Sequence, residues 1–386
     1  MHNSPTILFT VTNNLVHDQR MIRICTTLQN AGYTVILIGR EQRNSPNLVP
    51  QPYRQVRLKL WFESGKLFYL EYNLRLLLYL LFQRFAGICS IDLDTAVPGI
   101  LVCKLRRKIH FFDAHELFPQ VPEVIRRPRI QQVWQRVERW VFAHTDVAYT
   151  VGQALSNYFK ETYHREVTVV RNMPLPRSKN LSFWPEQLPQ HLQNQRFLLY
   201  QGALNEGRGL EVLISAMSNI DIPLVLVGEG DISVKLKQLT TELQLNHVYF
   251  TGHVLPQNLP AIAKYAWLGI NVSENVGLSY YLSLNNKFFD YVQDQLPSII
   301  NPFPEYLSLL QEFEVGITCD ADTDQIIKTI QQLQSDSSLY NQLKQNCVLA
   351  ASQWNWNEEK IHLLNIYNHN LSLSYNKNLR DSPKHL

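Results

Sequence analysis

The sequence predicts an α/β protein of two Rossmann-like, doubly wound domains facing a central cleft. Three observations support this. Short apolar runs alternate with helix-periodic runs along most of the 386 residues, the order expected of parallel sheets covered by helices. The chain is long for a single core. Residues 174–195 interrupt the alternation with Pro174, Pro176, Pro185, Pro189 and many Gln, Asn and Ser, as a linker would.

Before that break, residues 6–12 read as a strand. Residues 17–31 place Met21, Ile22, Ile24, Cys25 and Leu28 at helical spacing, and Gly32 marks the stop. A strand over 34–38 ends at Gly39. Residues 67–85 are the most hydrophobic stretch, but Glu71, Arg75, Gln83 and Arg84 interrupt it and speak against a membrane span. A buried helix and an interfacial helix flanked by Arg54, Arg57, Lys59, Lys66, Arg75 and Arg84 both fit. Strands follow at 109–113, 147–151 and 167–171, with helices at 133–143 and 153–163. After the break, strands at 197–201, 224–227, 248–251, 268–272 and 298–301 alternate with helices at 210–217, 233–243, 259–265 and from Asn286. Helices at 325–334, 339–351 and 354–367 complete the chain, and residues from about 371 read as a polar tail. The expected organisation is a domain over 1–173, a linker over 174–195, a second domain over 196–353, a helix over 354–370 packing back on the first domain, and a tail over 371–386.

Composition is that of a globular protein, 45% hydrophobic and 18% charged. The net charge of +3 hides an asymmetry. Residues 1–175 hold 22 Lys and Arg against 13 Asp and Glu, and residues 176–386 hold 14 against 20. The halves would attract each other, and the basic half favours an anionic partner such as a membrane surface or a lipid phosphate. The basic residues are not interleaved with any nucleic-acid-binding module, so no nucleic-acid partner is expected. Cys25, Cys89, Cys103, Cys319 and Cys347 are scattered without a CxxC pair, which excludes a disulfide framework or zinc site and suggests a reducing compartment. Residues 1–5 show no signal-peptide pattern, and no solenoid repeat is visible.

The most informative segment is Asn285-Asn286-Lys287-Phe288-Phe289-Asp290 through Pro297. Asn285 or Asn286 suits an N-cap, and a helix starting there directs N–H groups and the positive end of its dipole forward, which favours an anion. Lys287 adds a cation in the first turn, where a helix normally disfavours one; a phosphate at the helix start would account for it. Asp290, one turn in and on roughly the same face, could accept from two ribose hydroxyls. The pattern reads as a nucleotide-diphosphate clamp, and also as an ordinary capped helix with surface charges.

Several stretches together resemble glycosyltransferases of the GT-B fold, in the family 4-like group that uses nucleotide sugars. They include Asp18-Gln-Arg20, Asp113-Ala-His115-Glu116, Arg171-Asn172-Met-Pro174, Tyr200-Gln-Gly202 through Gly207-Arg208-Gly209, Gly228-Glu229-Gly230, Gly252-His253 and the segment from Asn286. The resemblance spans about residues 5–370. It implies transfer of a sugar from a nucleotide-diphosphate sugar to a glycan or lipid-linked acceptor in cell-surface polysaccharide synthesis. It also implies retention at the anomeric carbon, with a donor phosphate oxygen taking the acceptor proton, and domain closure that excludes water. On the donor side it points to Arg208, Lys287, Asn286, Asp290, Glu229, Gly202 and His253. It implies His115 near the reacting centre, Asp18 orienting the acceptor hydroxyl, and Arg20 and Asp94 on the acceptor side. The first basic position of the family's loop is Ala203 here, so Lys287 would substitute for it. The family's first carboxylate falls on Leu282, with Glu274 as the candidate replacement. Asp92-Leu-Asp94 spells a metal-binding motif of another glycosyltransferase fold, with Asp92 read as a strand-edge residue, but no metal and no cofactor is expected. The expected location is cytoplasmic, with peripheral attachment to the inner face of a membrane. A sugar-nucleotide epimerase and a non-catalytic binding subunit share the architecture and stand as alternatives.

Overall fold

The computed structural model of the chain describes residues 4–177 and 184–380, with side chains to residue 372. The chain divides into two compact units, Met1–Asn172 with Glu359–Leu386, and Met173–Glu358. The first holds a seven-stranded sheet: β1 Thr6–Thr10, β2 Thr34–Glu41, β3 Arg54–Lys59, β4 Gly87–Ile91, β5 Ile109–Ala114, β6 Val147–Thr150 and β7 Thr168–Val169. All neighbours are parallel, in the order β3-β2-β1-β4-β5-β6-β7. The second holds β8 Leu198–Gln201, β9 Leu224–Val227, β10 Val248–Gly252, β11 Leu268–Asn271, β12 Ser298–Ile300 and β13 Gly316–Thr318, also parallel, in the order β10-β9-β8-β11-β12-β13. Strand order reverses between β1 and β4 and again between β8 and β11. Such folds bind ligands at these points, beyond the carboxyl ends of the strands.

Burial explains the strand patterns. Ile7, Leu8 and Phe9 of β1 and all four residues of β9 are inaccessible or nearly so, because helices cover both faces of a parallel sheet. The Gly65–Leu81 helix sets Phe68, Tyr72, Leu76 and Leu80 against Leu8, Ile36, Ile38 and Ile88. In the second unit, Leu213, Ile214, Leu224, Leu226, Leu268, Ile270, Ile326 and Ile330 belong to one buried cluster.

Several expectations are corrected. β2 runs through Gly39 to Glu41; the glycine is needed because a Cβ there would lie 2.5 Å from the Asn13 carbonyl oxygen. β3 and β4 were not anticipated. β3 is a basic edge strand, and its Arg and Lys blunt an exposed edge rather than mark a loop. The expected strand over 167–171 shrinks to Thr168–Val169. Residues 184–195 are more than a linker: Leu188 and Leu192 are buried with Phe197, Leu199 and Val225. The expected tail is helical from 371 to Arg380, as part of the Trp356–Arg380 helix. Residues 178–183 of the linker and 381–386 of the tail lie outside the described residues.

From Glu359 onward that last helix belongs to the first unit. Tyr367 stacks on Phe111 of β5 with centroids 4.4 Å apart, and its hydroxyl lies 3.2 Å from that of Tyr149. Tyr33 donates to Asn368 Oδ1 at 2.6 Å. Tyr367 is fully buried, so Tyr367→Ala is expected to destabilise the protein by about 3–5 kcal/mol, whereas Tyr367→Phe loses only the hydroxyl contacts to Tyr149 and Cys89 and costs about 1–2 kcal/mol. Denaturant unfolding of the two variants measures both.

Candidate functional site

In the second unit the strand ends β8, β9 and β10 are pinned together by backbone. Gly202 N–H donates to Val227 and Gly228 N–H donates to Gly252, at 2.9 and 3.0 Å. Gly202 and Gly228 both take positive φ, and a Cβ on Gly228 would lie 2.0 Å from the Gly202 carbonyl oxygen. Only glycine allows this approach. Glu229 is brought to the same place, with Oε1 beside Gly252 and Lys237 Nζ 3.9 Å away. The adjoining His253 is exposed.

Lys287 turns inward. It is only 9% exposed, and its Nζ lies 3.5 Å from the centroid of the Tyr200 ring. No carboxylate pairs with it among the described residues. Burial and the nearby Arg208 charge hold its pKa well below the usual lysine value. The electron-rich ring face offsets part of this cost. Arg208 lies on the loop from β8 to the Leu210–Ala216 helix. It donates from Nη1 to Asn285 Oδ1 at 2.9 Å and stands over the Tyr280 ring. It too has no carboxylate partner among the described residues.

Asn285 occupies the N-cap position of the Asn286–Gln293 helix, but its side chain does not cap it. It accepts from Arg208 and donates to Asn271 Oδ1 at 3.2 Å, while its N–H donates to the Tyr306 hydroxyl at 2.8 Å. The expected cap is thus a strut for Arg208. Asn286 opens the helix behind it. Asp290, expected to accept from two ribose hydroxyls, is partly buried and already shares its carboxylate within the protein. Arg177 forms ion pairs with both Asp290 and Asp294 and donates to the Asp290 carbonyl. Burial pushes Asp294 up to about 6 against the pull of Arg177. Glu274, the candidate first carboxylate, is tied through its N–H to Gly207; burial and then Glu211 and Glu206 raise its pKa.

Gln201 is a residue that the sequence did not single out. It ends β8, is buried, and neither amide atom has a partner; Asn271 Nδ2, at the end of the neighbouring β11, is likewise unsatisfied. Both amides stand where the strand order reverses. A Gln beside the first glycine of a loop was the only available signal.

In the first unit the acceptor-side candidates form a buried ion network. Arg20 is 4% exposed and clamps Asp113 with Nε and Nη2 at 3.1 and 2.9 Å, while Nη1 donates to Val170 O. Burial opposes its charge, but Asp113 outweighs burial and raises its pKa. Arg20 therefore does not face an acceptor phosphate. Asp18 is a helix N-cap: Oδ1 accepts from Met21 N–H at 3.0 Å and Oδ2 from Asn13 at 2.7 Å. Asp92 is a helix N-cap residue with positive φ rather than a strand-edge residue, and Asp94 follows in the first turn. Asp94 is buried and accepts from Thr12 at 2.7 Å; burial pushes its carboxyl up to about 6. No metal-binding cluster occurs among the described residues.

His115 sits at the carboxyl end of β5 between two carboxylates. Nε2 lies 3.0 Å from Asp113 Oδ2, the His115 backbone N–H donates to Asp92 Oδ1 at 2.9 Å, and Nδ1 faces Asp92 Oδ2 at 3.6 Å. Arg20 Nε lies 2.9 Å from Nε2. Both of these nitrogens donate to the shared Asp113 oxygen, because the carboxylate favours the protonated ring. Burial opposes the ring's charge, but Asp113 and then Asp92 overcome it and raise His115 to about 9. At 3.6 Å the Nδ1–H is beyond a normal hydrogen bond to Asp92.

Residues 185–347 match the model of the family Glycosyl transferases group 1. The chain is similar to the D-rhamnosyltransferase WbpZ of Pseudomonas aeruginosa, 27% identical over 144 residues that make up 36% of each chain. It is similar to the O-antigen chain mannosyltransferase C of Escherichia coli, 24% identical over 148 residues, 36% of this chain and 38% of that one. The similarity thus spans little more than a third of the length of these curated relatives. In architecture it is similar to HepE of Anabaena, solved with UDP and glucose: TM-score 0.75, 15% identity, covering 95% of this chain and 100% of that chain. The fold is GT-B.

Because His115 is raised above its unfolded value of 6.5, its charge stabilises the fold fully below about 6.5. That contribution is lost as pH rises through about 9. His115→Gln should lower stability by roughly 1–3 kcal/mol at pH 6 and by much less at pH 10. Unfolding free energies measured across this range check the sign.

Proposed function

We propose that the chain is a glycosyltransferase. It moves a sugar from a nucleotide-diphosphate sugar to a hydroxyl of a glycan or lipid-linked acceptor, with retention, during cell-surface polysaccharide synthesis. One observation supports this above the rest: the basic side chains of Lys287 and Arg208 stand near each other with no carboxylate to balance them, so that burial and Arg208 disfavour the Lys287 charge until an anion arrives. A buried unpaired cation is costly. A diphosphate would remove that cost and add charge-assisted hydrogen bonds. The family match over residues 185–347, the transferase relatives and the UDP complex of HepE support the same reading.

In this reading the acceptor oxygen bonds to the anomeric carbon as the bond from that carbon to phosphate breaks. The electron pair leaves on the nucleoside diphosphate, and a donor phosphate oxygen takes the acceptor proton. Lys287, Arg208 and the start of the Asn286–Gln293 helix stabilise the departing charge. Gly202 and Gly228 allow close approach. Glu229 and the Gly252–His253 turn contact the nucleoside, and Asp290 shares its carboxylate between Arg177 and a ribose hydroxyl. The unsatisfied Gln201 amide offers a neutral donor and acceptor. Protonated His115 is not a base; its Nδ1–H donates to a sugar hydroxyl. Arg20 and Asp18 act by positioning the elements around it.

These cations make a metal unnecessary, so turnover should survive chelation. A lipid-linked acceptor would bring the protein to a membrane surface, on the cytoplasmic side where its donors occur. No helix among the described residues is long and apolar enough to cross a membrane.

Arg208→Ala and Lys287→Ala should each lower kcat by about a hundredfold or more, with the circular dichroism spectrum retained. Near-normal turnover in the double variant would remove the mechanism. A thermal-shift screen of nucleoside diphosphates and their sugars identifies the donor. Release of nucleoside diphosphate only when acceptor is present separates transfer from epimerisation, and binding without release across a broad acceptor panel indicates a binding subunit.

A further inference from the structure

The Gly65–Leu81 helix is apolar on both sides. Its inner side packs on the sheet through Phe68, Tyr72, Leu76 and Leu80. On the other side Leu67, Leu70, Leu74, Leu78 and the carboxyl-cap residue Phe82 are each at least half exposed, with Leu70 at 68% and Phe82 at 83%. Steps of three and four residues place them in one continuous stripe along the helix. Trp61, just ahead of the helix, is 80% exposed. Scattered exposed leucines need no explanation, but a stripe running the full length of a helix does.

The charges around the stripe are mostly basic. At one end stand Lys66 and Arg75, whose guanidinium lies 4.7 Å from the Trp61 ring centroid. At the other end, Arg106 of the adjacent Leu93–Arg106 helix donates to the Leu81 and Gln83 carbonyls, and Arg84, Lys104 and Arg107 are exposed nearby. Between residues 61 and 108 the acids are Glu63, which accepts from the Arg43 N–H, Glu71, Asp92 and Asp94. Glu71 is bound by Arg75 and by the N–H groups of Trp61 and Phe62. A second copy of the chain docking on this face would press basic ends against basic ends.

We propose that this face is a membrane seat: the stripe enters the interface of an anionic phospholipid bilayer and the basic ends meet its headgroups. The seat goes beyond the glycosyl-transfer reading and holds whatever sugar or acceptor is used.

The test is co-sedimentation of the full chain with phosphatidylglycerol-containing vesicles and with pure phosphatidylcholine vesicles. The expected result is binding to the anionic vesicles, with a blue shift of fluorescence that Trp61→Phe diminishes. Leu70→Glu with Leu74→Glu should weaken binding on the order of a hundredfold or more. Lys104→Glu with Arg107→Glu should weaken it by roughly fivefold or more per residue and leave it less sensitive to salt than the parent chain. All four positions are exposed, and retained thermal melting confirms that the variants fold. Absence of vesicle binding, or full binding by the leucine variant, overturns the proposal. A dimer in sedimentation velocity that the leucine substitutions abolish, without vesicle binding, overturns it in favour of self-association.

Discussion

A buried basic side chain without a counter-ion, its charge disfavoured by burial and by a neighbouring arginine, is the constraint around which the second unit is arranged. Lys287 gains only the face of Tyr200, which recovers about 1–2 kcal/mol of a larger desolvation cost. Its neighbours do not relieve it. Arg208 adds a second positive charge and is propped by Asn285, which is itself fixed by Asn271 and Tyr306. The acids closest in sequence, Asp290 and Asp294, are neutralised by Arg177. Each of these side chains could have capped a helix or paired a lysine, and each does something else. The arrangement maintains positive potential at one place, and a phosphorylated ligand is the chemistry that would balance it.

The first unit shows the contrary pattern. Its charged residues at the strand ends are paired. Arg20 and His115 share Asp113, and Asp92 accepts the His115 N–H. This network ties the helix after β1, the end of β5 and the strand-like segment at Val170 into one piece. A fully paired network of this kind is expensive to break and contributes specificity of structure. Among the described members of this network, His115 Nδ1 and Asp92 Oδ2, 3.6 Å apart, are left with polar capacity.

Local signals in the sequence were informative to the extent that local physics determined the outcome. The alternation of strands and helices was legible because burial on both faces of a parallel sheet leaves continuous apolar runs such as Leu224–Val227. The Asn286 helix was legible from its spacing and from Pro297 after it. The Gly202 and Gly228 turns were legible because no other residue fits there. What could not be read were partners far away in sequence. Arg177 reaches Asp290 across 113 positions, and Arg20 reaches Asp113 across 93. Asp18 and Arg20 looked like ligand contacts because an N-cap aspartate and a buried arginine have the same letters as an acceptor site. β3 was missed because its alternation is largely basic. Gln201 was missed because an unsatisfied amide is a property of surroundings, not of sequence.

The unmet polar capacity in this chain is therefore more discriminating than the mere presence of charged residues. By charge alone, Arg20, Arg177, Arg208 and Lys287 are equivalent. By satisfaction they separate: Arg20 and Arg177 close ion pairs with buried or half-buried carboxylates, while Arg208 and Lys287 do not. The same reasoning separates the amides. Asn301 uses its oxygen and nitrogen on the Ser273 backbone and is structural; Gln201 leaves both unused. Gln201, Asn271, Arg208 and Lys287 gather beyond β8 and β11, where the sheet order reverses and such folds leave a crevice. Fold topology sets where a ligand can enter, and unsatisfied charge then specifies its sign.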